Sequence, residues 1–228
     1  MTHIDIEIQK IKKSALEMMN MVRNQLQKGK EALVNFNKEI ALEVMHNEKR
    51  VNGYELIIDN DCENLIALFS PMAVDLRFVL ATLKINYHIE RIGDNADGIA
   101  RNVLDLNENW NPEILAKLEL VKAFEIADDM FNDVISSYET EDTSLARTVF
   151  KKDKLLDQIT FNAFGILAQN IREHPEKIEH SLYLLLIQRK LERIGDLIKN
   201  IAEETIFYIE AKVLKHKSKK DRTEEGLL

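Results

Sequence analysis

Proline, glycine and cysteine are all scarce in this chain: three, seven and one among 228 residues. With Cys62 as the sole cysteine, no internal disulfide can form, and a reducing compartment is expected. So few breakers leave long uninterrupted stretches, which favours helix over a loop-rich fold. Long hydrophobic runs are missing too. The longest strongly apolar one, Leu182 to Ile187, is far short of a bilayer span. The N-terminal "MTHIDIEIQKIKK" alternates charge with isoleucine and lacks the continuous apolar segment of a signal peptide. A cytoplasmic location is therefore expected, with any membrane reached only through partners. Basic excess is absent as well: 31 Lys and Arg stand against 39 Asp and Glu, a net charge of −8. That argues against a nucleic-acid binder and is compatible with carboxylate-rich cation sites.

What is present is helical periodicity almost throughout. Ile4, Ile8, Ile11, Ala15, Val22 and Leu26 mark a first helix, with an end expected near Gly29. Val44, Val51, Ile58 and Leu65 step by seven along a second. Ser70 and Pro71 suit the N-cap and first position of a third, which carries Ile92, Ala96, Ile99 and Val103 to about Leu106. "LNENWNPE" is the clearest interruption. Asn111 and Pro112 then open a fourth helix with Leu118, Val121, Phe124, Phe131 and Ile135. A fifth carries Val149, Leu156, Ile159, Ala163 and Ile166, and a sixth, after Pro175, carries Leu191, Ile194, Ile198 and Ile201. Nothing reads as a strand.

The pentapeptide ERIGD occurs twice, at Glu90–Asp94 and at Glu192–Asp196, 102 residues apart. Pro71 and Pro175 are 104 apart, and "EKRVN" from Glu48 and "DKLLD" from Asp153 are 105 apart. A nearly constant offset is what an internal duplication predicts. Long helices with short connections favour antiparallel bundles. The expected fold is all-α: two pseudo-symmetric antiparallel three-helix bundles, residues 1–110 and 111–212, packed side by side or end to end. A polar, mostly basic tail over 213–228 completes the chain.

On a helix, Glu90, Asp94, Asp97 and Arg101 share one stripe, as do Glu192, Asp196, Lys199 and Glu203, with Asn200 just off it. Like charges one turn apart are mildly unfavourable, yet the chain repeats them. Asp153 and Asp157 form a similar pair, and Glu48, Asn52, Glu55 and Asp59 line the second helix. If these faces converge, oxygen donors would suit magnesium, calcium, manganese or iron, with zinc tolerated. The alternative is a solvated face with Arg91 and Arg193 as counter-ions. Gly93 and Gly195 lie inside the two words, where glycine costs about 1 kcal/mol relative to alanine. They point either to close helix packing or to room for a ligand.

Together, "NEKRVNGYELIIDNDC", "SPMAVDLRFVLATLKINYHIERIGDNADGIAR" and "LERIGDLIKNIAEE" closely resemble the PhoU family of phosphate-signalling proteins. The resemblance covers nearly the whole chain. It implies two three-helix bundles, often as a homodimer. It implies a cytoplasmic negative regulator of the phosphate-starvation response that links the ATPase of the phosphate ABC transporter to a sensor histidine kinase. It also implies bound iron, zinc or a related metal such as manganese or magnesium. The matching motif residues are Glu90, Asp94, Asp153, Asp157, Glu192 and Asp196, with Glu48, Asn52, Asp97 and Asn200 beside them. Asn52 stands where an acid would complete the second-helix pair, and Gly98 stands where the other copy has Asn200, which puts the equivalence of the two sites in question. No nucleotide-binding glycine loop occurs. A di-iron oxidoreductase would need paired Glu-x-x-His motifs, and only Glu43-x-x-His46 is present. A helical scaffold without metal is the remaining alternative.

Overall fold

The computed structural model describes residues 2–214, so the expected tail lies almost wholly outside the described residues. The apolar periodicity is realised as α1 (His3–Asn35), α2 (Lys38–Phe69), α3 (Val74–Asp105), α4 (Pro112–Lys117), α5 (Leu120–Thr140), α6 (Thr143–Glu173) and α7 (Ile178–Glu210). A 3₁₀ turn, Pro175–Lys177, precedes α7, and the described residues contain no strand. Side-chain caps set several starts. Thr2 and Asp5 close a reciprocal capping box on α1, Asn37 caps α2, Asn111 caps α4 ahead of Pro112, and Asp142 caps α6.

Four boundaries differ from expectation. The first helix does not end at Gly29. Ala32 and Leu33 extend its buried stripe, and it stops at Phe36, which is left-handed at φ 48°. Burial of those side chains outweighs the weakness of one glycine. Ser70 does not start a helix but ends α2, left-handed at φ 46°, its N–H bonded to the Ile66 carbonyl. Pro71 follows the stop, where its missing N–H forbids continuation. The fourth helix is broken at Glu119 (φ 49°), so the described residues hold seven α-helices rather than six. Pro175 opens the 3₁₀ turn rather than the long helix.

α1, α2 and α3 pack on one another, as do α5, α6 and α7. Neighbours run antiparallel: Lys10 meets Asp61 and Lys28 meets Glu43 across α1 and α2, while Asn170 meets Ser181 and Asp153 meets Lys199 across α6 and α7. The halves lie side by side through two seams, α3 against α7 and α1 against α5. Arg23 of α1 holds Asp128 of α5 with two bonds, 2.8 and 2.9 Å, and also Asn132 at 2.7 Å. Deeper in, Phe78 of α3, Tyr138 of α5 and Tyr208 of α7 make three mutual ring contacts with centroids 5.7–6.3 Å apart. Cys62 is buried, and burial pushes its thiol up to about 12, so it is an inert core residue rather than a nucleophile.

Candidate functional site

Each ERIGD word sits mid-helix on α3 or α7, against the second helix of its own half. A methyl group at Gly93 would lie 3.4 Å from Val51 Cγ1 and from Gln25 Oε1, and one at Gly195 would lie 2.6 Å from Leu156 Cδ2. Val51 and Leu156 are themselves 105 residues apart, so they are the same position in the two halves. Close helix packing is realised at Gly195, whereas a methyl at Gly93 would make only an ordinary contact. Gly98 lies at the seam between halves. The end of the Lys190 side chain of α7 crosses that face of α3 and would have to shift to admit a side chain there.

In the first half, Glu90 and Asp94 face Glu55 and Asp59 of α2. Glu90 is pushed up to about 7, first by burial and then by the charges of Asp94 and Glu55, with Arg91 only partly offsetting them. Glu55 is raised for the same reasons, burial first, then Asp59 and Asp94. The Asn86 amide donates to Asp59 Oδ1 at 2.8 Å and to the Glu55 carbonyl at 2.9 Å, which fixes this part of α2 against α3. The other candidates on this side stand apart. Asp97 is only 7% exposed and is tied to Arg101 at 2.6 Å. The Asn52 amide donates to Glu48 at 2.5 Å, so Asn52 serves as a neutral partner for that carboxylate. Arg101 also feels the charge of Glu48. Glu48 and Asn52 thus form one group and Glu90 and Asp94 a neighbouring one, with Glu55 and Asp59 as the closer electrostatic partners of the ERIGD acids.

In the second half the counterpart acids do come together, around a lysine. Lys199 Nζ lies 2.6 Å from Asp153 Oδ2 and 2.6 Å from Asp196 Oδ1. Asp153 is 5% exposed, and its pKa is raised because burial outweighs the pull of the ammonium. Burial works against the charge of Lys199, but its bonds to Asp153 and Asp196 prevail and raise its pKa. Asp157, Glu192 and Asp196 line an open groove of about 1060 Å³ whose other walls include Phe161, Phe164 and Arg189. Glu192 accepts from Arg189 at 3.3 Å. Asn200 is half-buried and is not among the groove's lining residues.

The donor set is all oxygen, which fits a hard cation in kind. Its arrangement fits less well: among the described residues no three His, Cys, Asp or Glu side chains converge on one point. A bound ion would have to draw Glu55, Glu90 and Asp94 together in the first half and displace an ammonium in the second. The di-iron alternative fares worse. Glu43 and His46 lie on the outer surface of α2, and Glu43 is held by Lys28 at 2.6 Å. A di-iron centre needs such pairs projecting into the bundle core.

The crowding around Glu90 has a measurable consequence. Its pKa is raised from 4.5 to about 7, so the folded state holds its proton more tightly than the unfolded chain does. That contribution to stability is complete below pH 4.5 or so and is lost as the pH rises through about 7. In chelator-treated protein, Glu90→Gln is expected to be more stable than wild type by about 1 kcal/mol near pH 8, a figure reduced for solvent screening, with the gap closing near pH 5. Urea unfolding at the two pH values is the check. Equal stabilities near pH 8 would mean that Glu90 is neither desolvated nor crowded as described.

A family profile described as "PhoU domain" matches residues 15–103 and again 120–205, one match in each half. The chain belongs to the PhoU family. The phosphate-specific transport system accessory protein PhoU of Escherichia coli is 31% identical over 210 residues, 92% of this chain and 86% of that one. A PhoU homolog of Aquifex aeolicus, named as the same kind of accessory protein, is 32% identical over 218 residues, 96% of this chain and 98% of its own. Among solved structures, PhoU from Pseudomonas aeruginosa superposes with a TM-score of 0.88 at 28% identity, covering 92% of this chain and all of that one. The phosphate transport system regulatory protein PhoU from Streptococcus pneumoniae gives 0.81 at 26% identity, covering 93% and all. The PhoU relatives are named as accessory or regulatory proteins rather than enzymes. No helix among the described residues is long and apolar enough to cross a membrane.

Proposed function

We propose that this PhoU-family protein is a cytoplasmic, non-enzymatic adaptor that restrains phosphate uptake and the phosphate-starvation response. It does so by linking the ATPase of a phosphate ABC transporter to a sensor histidine kinase, working as a homodimer. The observation that carries the reading is the extent of the relationship: relatives matched over at least nine-tenths of this chain are named accessory proteins of a phosphate-specific transport system. An adaptor works through its surface, and the α6–α7 groove supports that role. Phe161 and Phe164 are 80% and 68% exposed beside Asp157, Glu192 and Asp196, an apolar pair with an acidic rim.

Cation binding belongs to the same proposal, on the first-half face. Glu55, Glu90 and Asp94, with Asp59 beside them, would hold iron, zinc, manganese or magnesium, whose charge would offset the burial and the neighbouring charges that raise Glu90. The test has two arms. Purified protein is expected to retain the transporter ATPase and the kinase in pull-downs from native cytoplasm and membranes. Recovery of neither, in both phosphate-rich and phosphate-poor growth, would overturn the adaptor role. Metal analysis after purification without a chelating column is expected to find a metal that is lost in Glu90→Gln/Asp94→Asn. A metal-free protein that still captures the ATPase would leave an adaptor without the cation. That second reading draws on Lys199, whose ammonium already sits between two carboxylates of the other cluster.

A further inference from the structure

The two halves differ in sign at one helical position. Counting from the first Glu of each ERIGD, the residue seven places on is Asp97 in α3 and Lys199 in α7. Four places further the signs are again opposite, Arg101 against Glu203. In the first half the consequence is local: Asp97 and Arg101 pair with each other along the helix, and among the described residues no lysine or arginine is bonded to Glu90 or Asp94. In the second half, Lys199 reaches across to α6 and bonds Asp153 and Asp196 together, both at 2.6 Å. Its side chain is 22% exposed and Asp153's is 7%, so this is a largely desolvated contact rather than a surface pair.

We infer that Lys199 is the built-in cation of the second-half carboxylate cluster, and that it excludes a divalent cation from that cluster while the first-half face is left without such a plug. The physical reason is that two cations cannot share the same two carboxylates. At a few ångströms their mutual repulsion is strong even near a protein surface. A metal entering between Asp153 and Asp196 would have to expel the ammonium and abandon both its bonds. The ERIGD words are therefore identical in letters but differ in state, one facing carboxylates alone and the other holding an ammonium between two of its carboxylates. The inference deepens the proposed cation binding and rests on it only for the first half.

The probe is Mn²⁺ alone, read by calorimetric stoichiometry and by thermal midpoint. Lys199→Met keeps the length of the side chain and removes its charge. It is expected to bind one Mn²⁺ more than wild type, to show a midpoint that rises with Mn²⁺, and to lose both gains when Asp196→Asn is added. An equal stoichiometry in Lys199→Met and wild type would overturn the inference while leaving first-half binding untouched. Conversely, a wild type that binds no Mn²⁺ beside a Lys199→Met that binds one would sustain it and overturn the first-half proposal. Should Lys199→Met fail to fold in chelator, refolding is repeated with Mn²⁺. Recovery of the native circular dichroism supports the inference, and a chain that stays unfolded with Mn²⁺ counts against it.

Discussion

Tyr138→Ala is expected to destabilise the protein by about 3–5 kcal/mol, as large aromatic truncations in packed cores do. Tyr138 is fully buried, the largest such side chain among the described residues, and it sits where the two halves meet. Its ring stacks on Phe78 at 6.3 Å and meets Tyr208 edge-on at 5.9 Å, tying α5 to both α3 and α7. Its hydroxyl lies 3.0 Å from Thr82 Oγ1, also fully buried. Truncation opens a cavity between three helices and strips Thr82 of its partner, two losses at once. For a chain of this size the thermal midpoint should fall by roughly 10 °C. Tyr138→Phe separates the contributions. It keeps the ring contacts and removes only the bond to Thr82, so a loss of about 1 kcal/mol is expected. A Tyr138→Ala loss no greater than that of Tyr138→Phe, measured by urea denaturation, would show that the seam is not packed as described.

Gly195→Ala and Gly93→Ala should have opposite effects, although both change the same letter of the same word. Alanine in a helix interior gains about 1 kcal/mol over glycine. At Gly93 the added methyl meets Val51 and Gln25 at 3.4 Å, an ordinary contact, so the variant should be neutral to slightly stabilised. At Gly195 the methyl would stand 2.6 Å from Leu156 Cδ2, and Leu156 is 1% exposed, with little space to yield into. Overpacking of this kind costs about 1–3 kcal/mol, which outweighs the helical gain. Gly195→Ala should therefore be less stable than wild type by about 1–2 kcal/mol. The two variants, compared by chemical denaturation in one buffer, decide the matter. Equal shifts would mean that α6 lies no closer to its ERIGD helix than α2 does.

Much of the fold was legible because burial imposes a period. Stripes such as Ile92, Ala96, Ile99 and Val103 must face inward together, so the helices and the duplication could be read without a third dimension. Boundaries were less legible. Ser70 is a good N-cap by type, but the turn needed a left-handed residue to end α2, and the turn's geometry prevailed over the residue's preference. At the carboxylate faces, the letters Lys199 and Asp97 were visible on their stripes. What each would pair with depends on how far across the helix gap it reaches. Lys199 bridges to Asp153 on α6, whereas Asp97 is satisfied by Arg101 one turn along its own helix.

The sequence by itself determined an all-α chain, its two related halves, its family and the acids on each repeated helix, because periodicity and residue type are local properties. Only the tertiary structure decided that the halves lie side by side through Phe78, Tyr138 and Tyr208, and that Gly195 serves packing where Gly93 has room to spare. It alone decided that one acid cluster is crowded while the other encloses an ammonium. Charge at a site depends on which side chains from other helices come within a few ångströms, and that distance is written in the packing rather than in either copy of ERIGD.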